Sequence, residues 1–298
     1  MTTVTKQTNQ FSSQAPSASG LWRFLRVFLG RKVVIFGTVI ILGLIITAIF
    51  APQLAPHDPY QQNLRSALQQ PSEQHLLGTD QLGRDILSRI IYGARVSLTV
   101  GFVSVGIGSL LGMTLGLLSG FFGGFIDSLI MRLIDAIMAI PPLLLALALG
   151  AAMGGGLQNV MISLGIALIP GYARLMRGQV LTVKQMDYVK AGEVIGSSDF
   201  RIMLRHILPN CMSPLIVLVT LNLGVAILAE AGLSFLGLGI SPPGAAWGAM
   251  VSDGYRYLLN NPLLSFAPGI CIMLVVLAFN LVGDGLRDAL DPRLRGTL

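Results

Sequence analysis

The sequence predicts an all-α polytopic membrane protein with six transmembrane helices. Three observations carry that reading. Of the 298 residues 53% are apolar. Charged residues make up only 11%, against about 25% in a soluble domain. The apolar residues also fall in long charge-free runs separated by polar connections. A water-soluble domain of this length could not hide so much apolar surface in one core. A disordered chain would show the opposite balance, rich in charge and poor in hydrophobic residues. The protein belongs in a lipid bilayer.

The elements follow in order. Residues 1–32 form a polar tail. The apolar run after it is too long for a signal-peptide h-region and lacks an A-x-A-like site, so an uncleaved anchor is expected. That anchor is the first span, Val33 to Ala51, because a crossing needs about 20 residues. Residues 52–95 form a segment outside the membrane core. Residues 96–283 hold five more helices, and residues 284–298 close the chain as a second tail. Within the five-helix core Val96 to Gly120 is the second span. Ala136 to Ala173 is too long for one helix, and Gly154-Gly155-Gly156 divides it into a hairpin of two. The fifth span runs from about Pro214 to Leu238, interrupted only by Glu230, and the sixth from about Leu263 to Val282.

Six crossings put both termini on one side. That side collects Lys6, Arg23, Arg26, Arg31, Lys32, Arg132, Arg174, Arg177, Lys184, Lys190, Arg201, Arg205, Arg287, Arg293 and Arg295. The other side holds only Arg65, Arg84, Arg89, Arg95 and Arg256. The richer side is expected in the cytoplasm. The net charge of +6 is thereby explained without a nucleic-acid partner, which would need basic residues clustered with aromatics in a soluble module. Cys211 and Cys271 read as small buried hydrophobes.

Ser104, Gly108, Gly112, Gly116 and Gly120 stack on one stripe of the second span. Such a stripe lets two backbones approach closely in lipid, as plain packing or as a sliding contact in a moving bundle. Pro141-Pro142 and Pro170 are expected to start or kink the third and fourth helices.

The chain lacks the motifs of bond chemistry. There is no Gly-Lys pair and so no P-loop, no G-x-S-x-G elbow and no H-E-x-x-H. His57, His75 and His206 read as isolated, and no metal site is expected. What remains is a conduit or a scaffold.

Two motifs narrow the choice. The connection from about Met176 to Asn210 contains Asp187-Tyr188-Val189-Lys190-Ala191-Gly192-Glu193-Val194-Ile195-Gly196-Ser197-Ser198 and ends in Leu208-Pro209. A short helix through Val194 should stop at Gly196, which tolerates the left-handed conformation. A second should begin after Ser198 or Asp199 and end before Pro209. Two short helices at a bend present a compact knob. This loop resembles the EAA motif of binding-protein-dependent ABC importer permeases, with Ala191, Gly196, Leu208 and Pro209 in register. Lys190, Gly192 and His206 depart from it.

The other motif reads Leu77-Gly78-Thr79-Asp80-Gln81-Leu82-Gly83-Arg84-Asp85-Ile86-Leu87-Ser88-Arg89. Ile86, Leu87, Ile90 and Ile91 share a face, and Asp85 and Arg89 an i,i+4 spacing on the other. The expectation is an amphipathic helix on the outer membrane surface, in a segment whose marked residues are Asp80, Gly83, Arg84, Asp85 and Arg89. The block is similar to the signature of dipeptide/oligopeptide permease C-type subunits. The stretches Ile227–Gly239 with Pro242-Pro243 and Trp247-Gly248, and Leu277–Pro292, agree with it.

The resemblance implies a type I ABC importer permease fold in a bacterial cytoplasmic membrane. The implied function is half of a translocation pore for dipeptides or oligopeptides. Glutathione, nickel chelates or oligosaccharides are alternative cargoes. It implies a homologous B-type permease, two ABC ATPases that bind ATP and Mg, and an extracytoplasmic substrate-binding protein as partners, with no cofactor and no catalysis on this chain. Coupling would run through Tyr188, Ala191, Gly192, Val194, Gly196, Ser197, Leu208 and Pro209. Glu230 either lines the path or pairs with Asn222 or Asn280, since an ionisable group inside a span is a functional hypothesis by default. Asp284, Arg287, Asp288 and Asp291 read as a solvated helix end or an ATPase contact. An ion-coupled secondary transporter using Glu230, and a non-transporting scaffold, are the rivals.

Overall fold

The structure, a computed structural model, describes residues 20–240 and 243–290. Lys6, Pro242, Asp291, Pro292, Arg293 and Arg295 lie outside the described residues. The regular elements among the described residues are helices, with one isolated antiparallel bridge between Thr79 and Asp85.

The first tail is not featureless. Helix α1 (Gly20–Leu29) precedes Arg31, and its Phe24 and Phe28 rings stack 5.7 Å apart. The anchor α2 (Lys32–Ile49) runs into the single turn α3 (Ala51–Leu54). Helix α4 (Ile86–Phe122) is 37 residues long. The expected surface helix and second span are therefore one continuous rod. Its length is about 55 Å at 1.5 Å per residue, well beyond the hydrocarbon core, so its first turns stand clear of the lipid.

The third span departs from expectation. A charge-free helix from Ala136 was anticipated. Instead α5 (Gly124–Met138) and α6 (Pro142–Ala152) meet at an 85° bend. Pro141-Pro142 causes it: proline lacks the N–H and disfavours helix in the residue before it, while Pro142 suits the first turn of α6. At 11 residues α6 spans about 16 Å and cannot cross alone. Asp127, Arg132 and Asp135 ride on the first half of this span, α5.

Helix α7 (Leu157–Val183) starts after Gly154, Gly155 and Gly156, all at positive φ. Pro170 lies inside α7 and leaves it unbroken. Side by side, α4 and α7 are parallel. Ser104 donates to the Met161 carbonyl at 3.0 Å. A Cβ on Gly108, Gly112, Gly116 or Gly120 would strike Gly165–Leu168, Ile169–Tyr172, Ala173–Met176 or Arg177–Val180 respectively. The small-residue stripe is thus a packing seam that brings two backbones into contact. Two parallel helices require the chain between them to recross the bundle, so α5 and α6 together make the missing crossing. Six crossings result.

Two short helices, α8 (Asp187–Val194) and α9 (Asp199–Arg201), lead through a π-helical stretch, Ile202–Ile207, into α10 (Leu208–Phe235). Helix α11 (Trp247–Tyr255) and the last span α12 (Leu263–Leu290) complete the chain. Gly224 of α10 packs at Val276 and Phe279 of α12, and Gly283 at Leu221, so these two are antiparallel. Gly37 of α2 meets Ala278 and Leu281 while Gly285 meets Val34. Arg31 and Asp288 pair at 2.5 Å. The first and last described helices thus end together, at the same end of the bundle as α8.

Candidate functional site

The bend around α8 is built from the inside out. Val189 is fully buried and Gly192 packs at Ile202, itself buried. These side chains fasten α8 onto the start of the α10 rod. Gly196 takes φ +76. There the N–H of Gly196 donates to the Glu193 carbonyl at 3.0 Å, and that of Ser197 to Gly192 at 3.1 Å. These bonds close the last turn, as a left-handed helix stop does. On the outside Val194 and Ile195 are 86% and 80% exposed, and Phe200 is 68% exposed. Tyr188 is half exposed, Ala191 and Pro209 exposed, and Ser197 and Leu208 partly buried. The bend is an anchored knob with an apolar tip.

One expectation fails at this knob. The second short helix does not end before Pro209; it runs on into α10. Over Ile202–Ile207 the backbone widens to π geometry, and the N–H of Leu208 donates to Met203, five residues back. Widening spares the clash that a proline ring makes with the carbonyl four residues before it. The second half of the bend is therefore continuous with a membrane-crossing helix. Lys184, at the end of α7, reaches the Phe121 carbonyl at 2.6 Å and lies over the Phe121 ring. The ends of α4 and α7 are locked beside it.

At the opposite end of the bundle the Gly78–Arg89 block forms a buried cap, not a surface amphipathic helix. The expected Asp85–Arg89 pair is absent, because each residue has a better partner. The carboxylate of Asp85 caps α4, accepting from the Ser88 N–H at 2.8 Å and its hydroxyl at 2.7 Å. Its other oxygen faces His75 Nδ1 at 2.9 Å. Asp80 accepts from the N–H groups of Leu82 and Arg84 and from Arg84 Nε at 2.6 Å. Arg89 lies 3.6 Å from Asp80 and donates to the carbonyls of Pro59, Pro243 and Gly244. Buried charges persist only when paired in this way. Gly83, at φ +72, permits the turn. His57 and His75, expected to stand apart, meet here with ring centroids 4.7 Å apart.

Glu230 is 1% exposed and accepts from Ser234 at 2.5 Å. It pairs with neither Asn222 nor Asn280; Asn280 is exposed and donates to the Val276 carbonyl of its own helix. Two further contacts escaped the sequence reading. Arg177 grips Asp127 with two bonds of 2.6 Å, and Arg174 meets Asp135 at 2.5 Å. Their signal was the matched charges either side of the Gly154–Gly156 hairpin.

A six-crossing bundle with a helical knob between two crossings is a fold shared with solved ABC transporters. The MetNI methionine ABC transporter in an inward-facing conformation aligns at a TM-score of 0.57 with 18% identity, over 69% of this chain and 98% of that one. An amino acid ABC transporter aligns at 0.53 and 16%, over 67% and 94%.

Sequence comparison gives the family. Residues 112–296 match the binding-protein-dependent transport system inner membrane component, and residues 20–71 match the N-terminal transmembrane domain of oligopeptide transport permease C. The chain belongs to this family of ABC importer permease subunits. It is 46% identical to the dipeptide transport system permease protein DppC of Alkalihalophilus pseudofirmus, over 89% of this chain and 87% of the relative. It is 43% identical to a putative peptide transport system permease of Brucella suis biovar 1, over 91% of each. It is 44% identical to the glutathione transport system permease GsiD of Escherichia coli O1:K1, over 92% and 90%.

Proposed function

We propose that this chain is the C-type half of the pore in a peptide importer and that its knob receives the stroke of the ATPases. The knob's construction supports the reading. An apolar tip of Val194, Ile195 and Phe200 is held out into solvent by buried anchors, and exposed apolar surface rimmed by polar groups suits a protein partner. Tyr188, Ala191, Gly192, Val194, Gly196, Ser197, Leu208 and Pro209 are the coupling residues. The partners are a B-type permease, two ATPases that bind ATP and Mg, and an extracytoplasmic binding protein. The chain itself carries out no bond chemistry. Basic residues gathered at the knob end support a cytoplasmic position for that end in the inner membrane.

Dipeptides or oligopeptides are the cargo, in line with the relatives named for peptides. The relative named for glutathione makes that the comparison cargo. The test is the complete transporter in proteoliposomes, with ATP supplied on the knob side. Uptake of labelled dipeptide, with hydrolysis stimulated by loaded binding protein, is expected. Gly196→Trp or Ala191→Glu should abolish stimulated hydrolysis and uptake while leaving membrane insertion intact. Full activity in both variants would displace the coupling site. Uptake by this chain alone under an ion gradient would instead favour secondary transport through Glu230. A sealed carboxyl bonded to Ser234 gives that route little support.

A further inference from the structure

Between α3 and α4 the chain gathers three groups that no step of transport uses: the imidazoles of His57 and His75 and the carboxylate of Asp85. One donor atom from each lies within 4.8 Å of the other two. We propose that they form a binding site for a divalent transition-metal ion of the zinc class, which ties the segment following the first span to the head of α4.

A carbonyl only accepts, so the 2.8 Å contact between His57 Nε2 and the Gln74 carbonyl places the N–H there and leaves Nδ1 as the lone-pair nitrogen. A histidine ligand whose other nitrogen donates to a carbonyl is the usual outer-shell arrangement at a metal. The backbone N–H of His57 donates to Ser88 Oγ at 3.0 Å. Ser88 in turn holds one oxygen of Asp85, which leaves the second oxygen facing His75 Nδ1 at 2.9 Å. Two ligands about 2.0–2.1 Å from one ion lie roughly 2.9–3.4 Å apart. The proton between His75 and Asp85 has to leave His75 Nδ1. A protonated imidazole releases it to solvent, as ligands do on metal binding, while a neutral one carries its proton on Nε2 instead.

Two imidazoles and one carboxylate favour zinc, cobalt, nickel or iron over magnesium or calcium, which prefer oxygen ligands. The three donors border an open cavity that Asp58 and Gln61 also line. Remaining coordination positions can thus be filled by water or by Asp58. The ion would join residues 57, 75 and 85, fastening a loop that otherwise rests on hydrogen bonds.

The experiment needs no transport assay, so it stands apart from the peptide reading. The complete transporter, purified in detergent without a polyhistidine tag, is stripped with EDTA and titrated with ZnCl2 and then CoCl2. One zinc per copy of this chain is expected, with cobalt giving visible d–d bands. His57→Ala and His75→Gln should each weaken zinc binding by at least about tenfold, the lower end for losing even an outer-shell group. His57 is exposed, so its variant assembles even where the His75 variant does not. Absence of that equivalent overturns the site. So does zinc binding unchanged by His57→Ala, which would reduce the cluster to a His75–Asp85 pair, or equal displacement by MgCl2.

Discussion

The indole nitrogen of Trp247 donates to the main-chain carbonyl of Ile90 at 2.9 Å, and its ring fills the space above Gly93. A Cβ at position 93 would come within 2.5 Å of that ring. Helix α11 therefore sits on the head of α4 only because residue 93 has no side chain. Gly93→Val should overpack this contact and cost about 1–3 kcal/mol. A lowered melting temperature of the purified complex checks it, and an unchanged one would contradict the seam.

Gly83 answers to two constraints at once. Its φ is +72 and a Cβ would overlap the Asn63 carbonyl. Gly83→Ala should destabilise by more than the roughly 1–3 kcal/mol of backbone strain alone. Reduced membrane yield together with faster proteolysis between residues 57 and 85 is the expected readout.

The two α5–α7 ion pairs should differ in weight. Arg177 and Asp127 are 34% and 22% exposed and share two bonds, whereas Arg174 and Asp135 are 51% and 58% exposed and share one. An exposed pair contributes about 0–1 kcal/mol, so Arg174→Met should be nearly silent. Arg177→Met should cost measurably more, up to about 3 kcal/mol for a charged hydrogen bond. Equal effects on thermal stability would refute the distinction.

Glu230→Gln keeps both the volume and an acceptor for Ser234, so folding and uptake should persist. Glu230→Lys places an unpaired cation in a sealed site and should abolish assembly. Loss of uptake in the glutamine variant, with assembly intact, would return Glu230 to the translocation path.

Val194→Asp and Ile195→Asp alter only the exposed tip of the knob. Membrane insertion should be unaffected while co-purification with the ATPases falls. Retained association in both would mean that the apolar tip is not the docking surface.

Much of the fold could be read from periodicity and punctuation. Charge-free runs placed five of the six crossings, and Gly154–Gly156 and Gly196 marked turns that the backbone indeed makes at positive φ. The third crossing could not be read that way, because Asp127 and Asp135 find cations on a helix distant in sequence. The Gly78–Arg89 block was recognisable as a motif but misplaced as a surface helix. Its helical spacing predicted Asp85 with Arg89, whereas Asp85 is taken by Ser88 and His75, and Arg89 by three carbonyls from two other segments.

By itself, then, the sequence determined that the chain is a lipid-embedded helical bundle, how its crossings are ordered and where its knob protrudes. These follow from local hydrophobicity, glycine conformation and proline chemistry, which act within a few residues. Tertiary structure alone decided the parallel α4–α7 seam, the Arg177–Asp127 pair, the carbonyls that hold Arg89 and the meeting of His57 with His75. Each of those joins groups on separate segments, and a polar side chain out of water takes the partner that packing brings within about 3 Å, whatever its spacing along the chain.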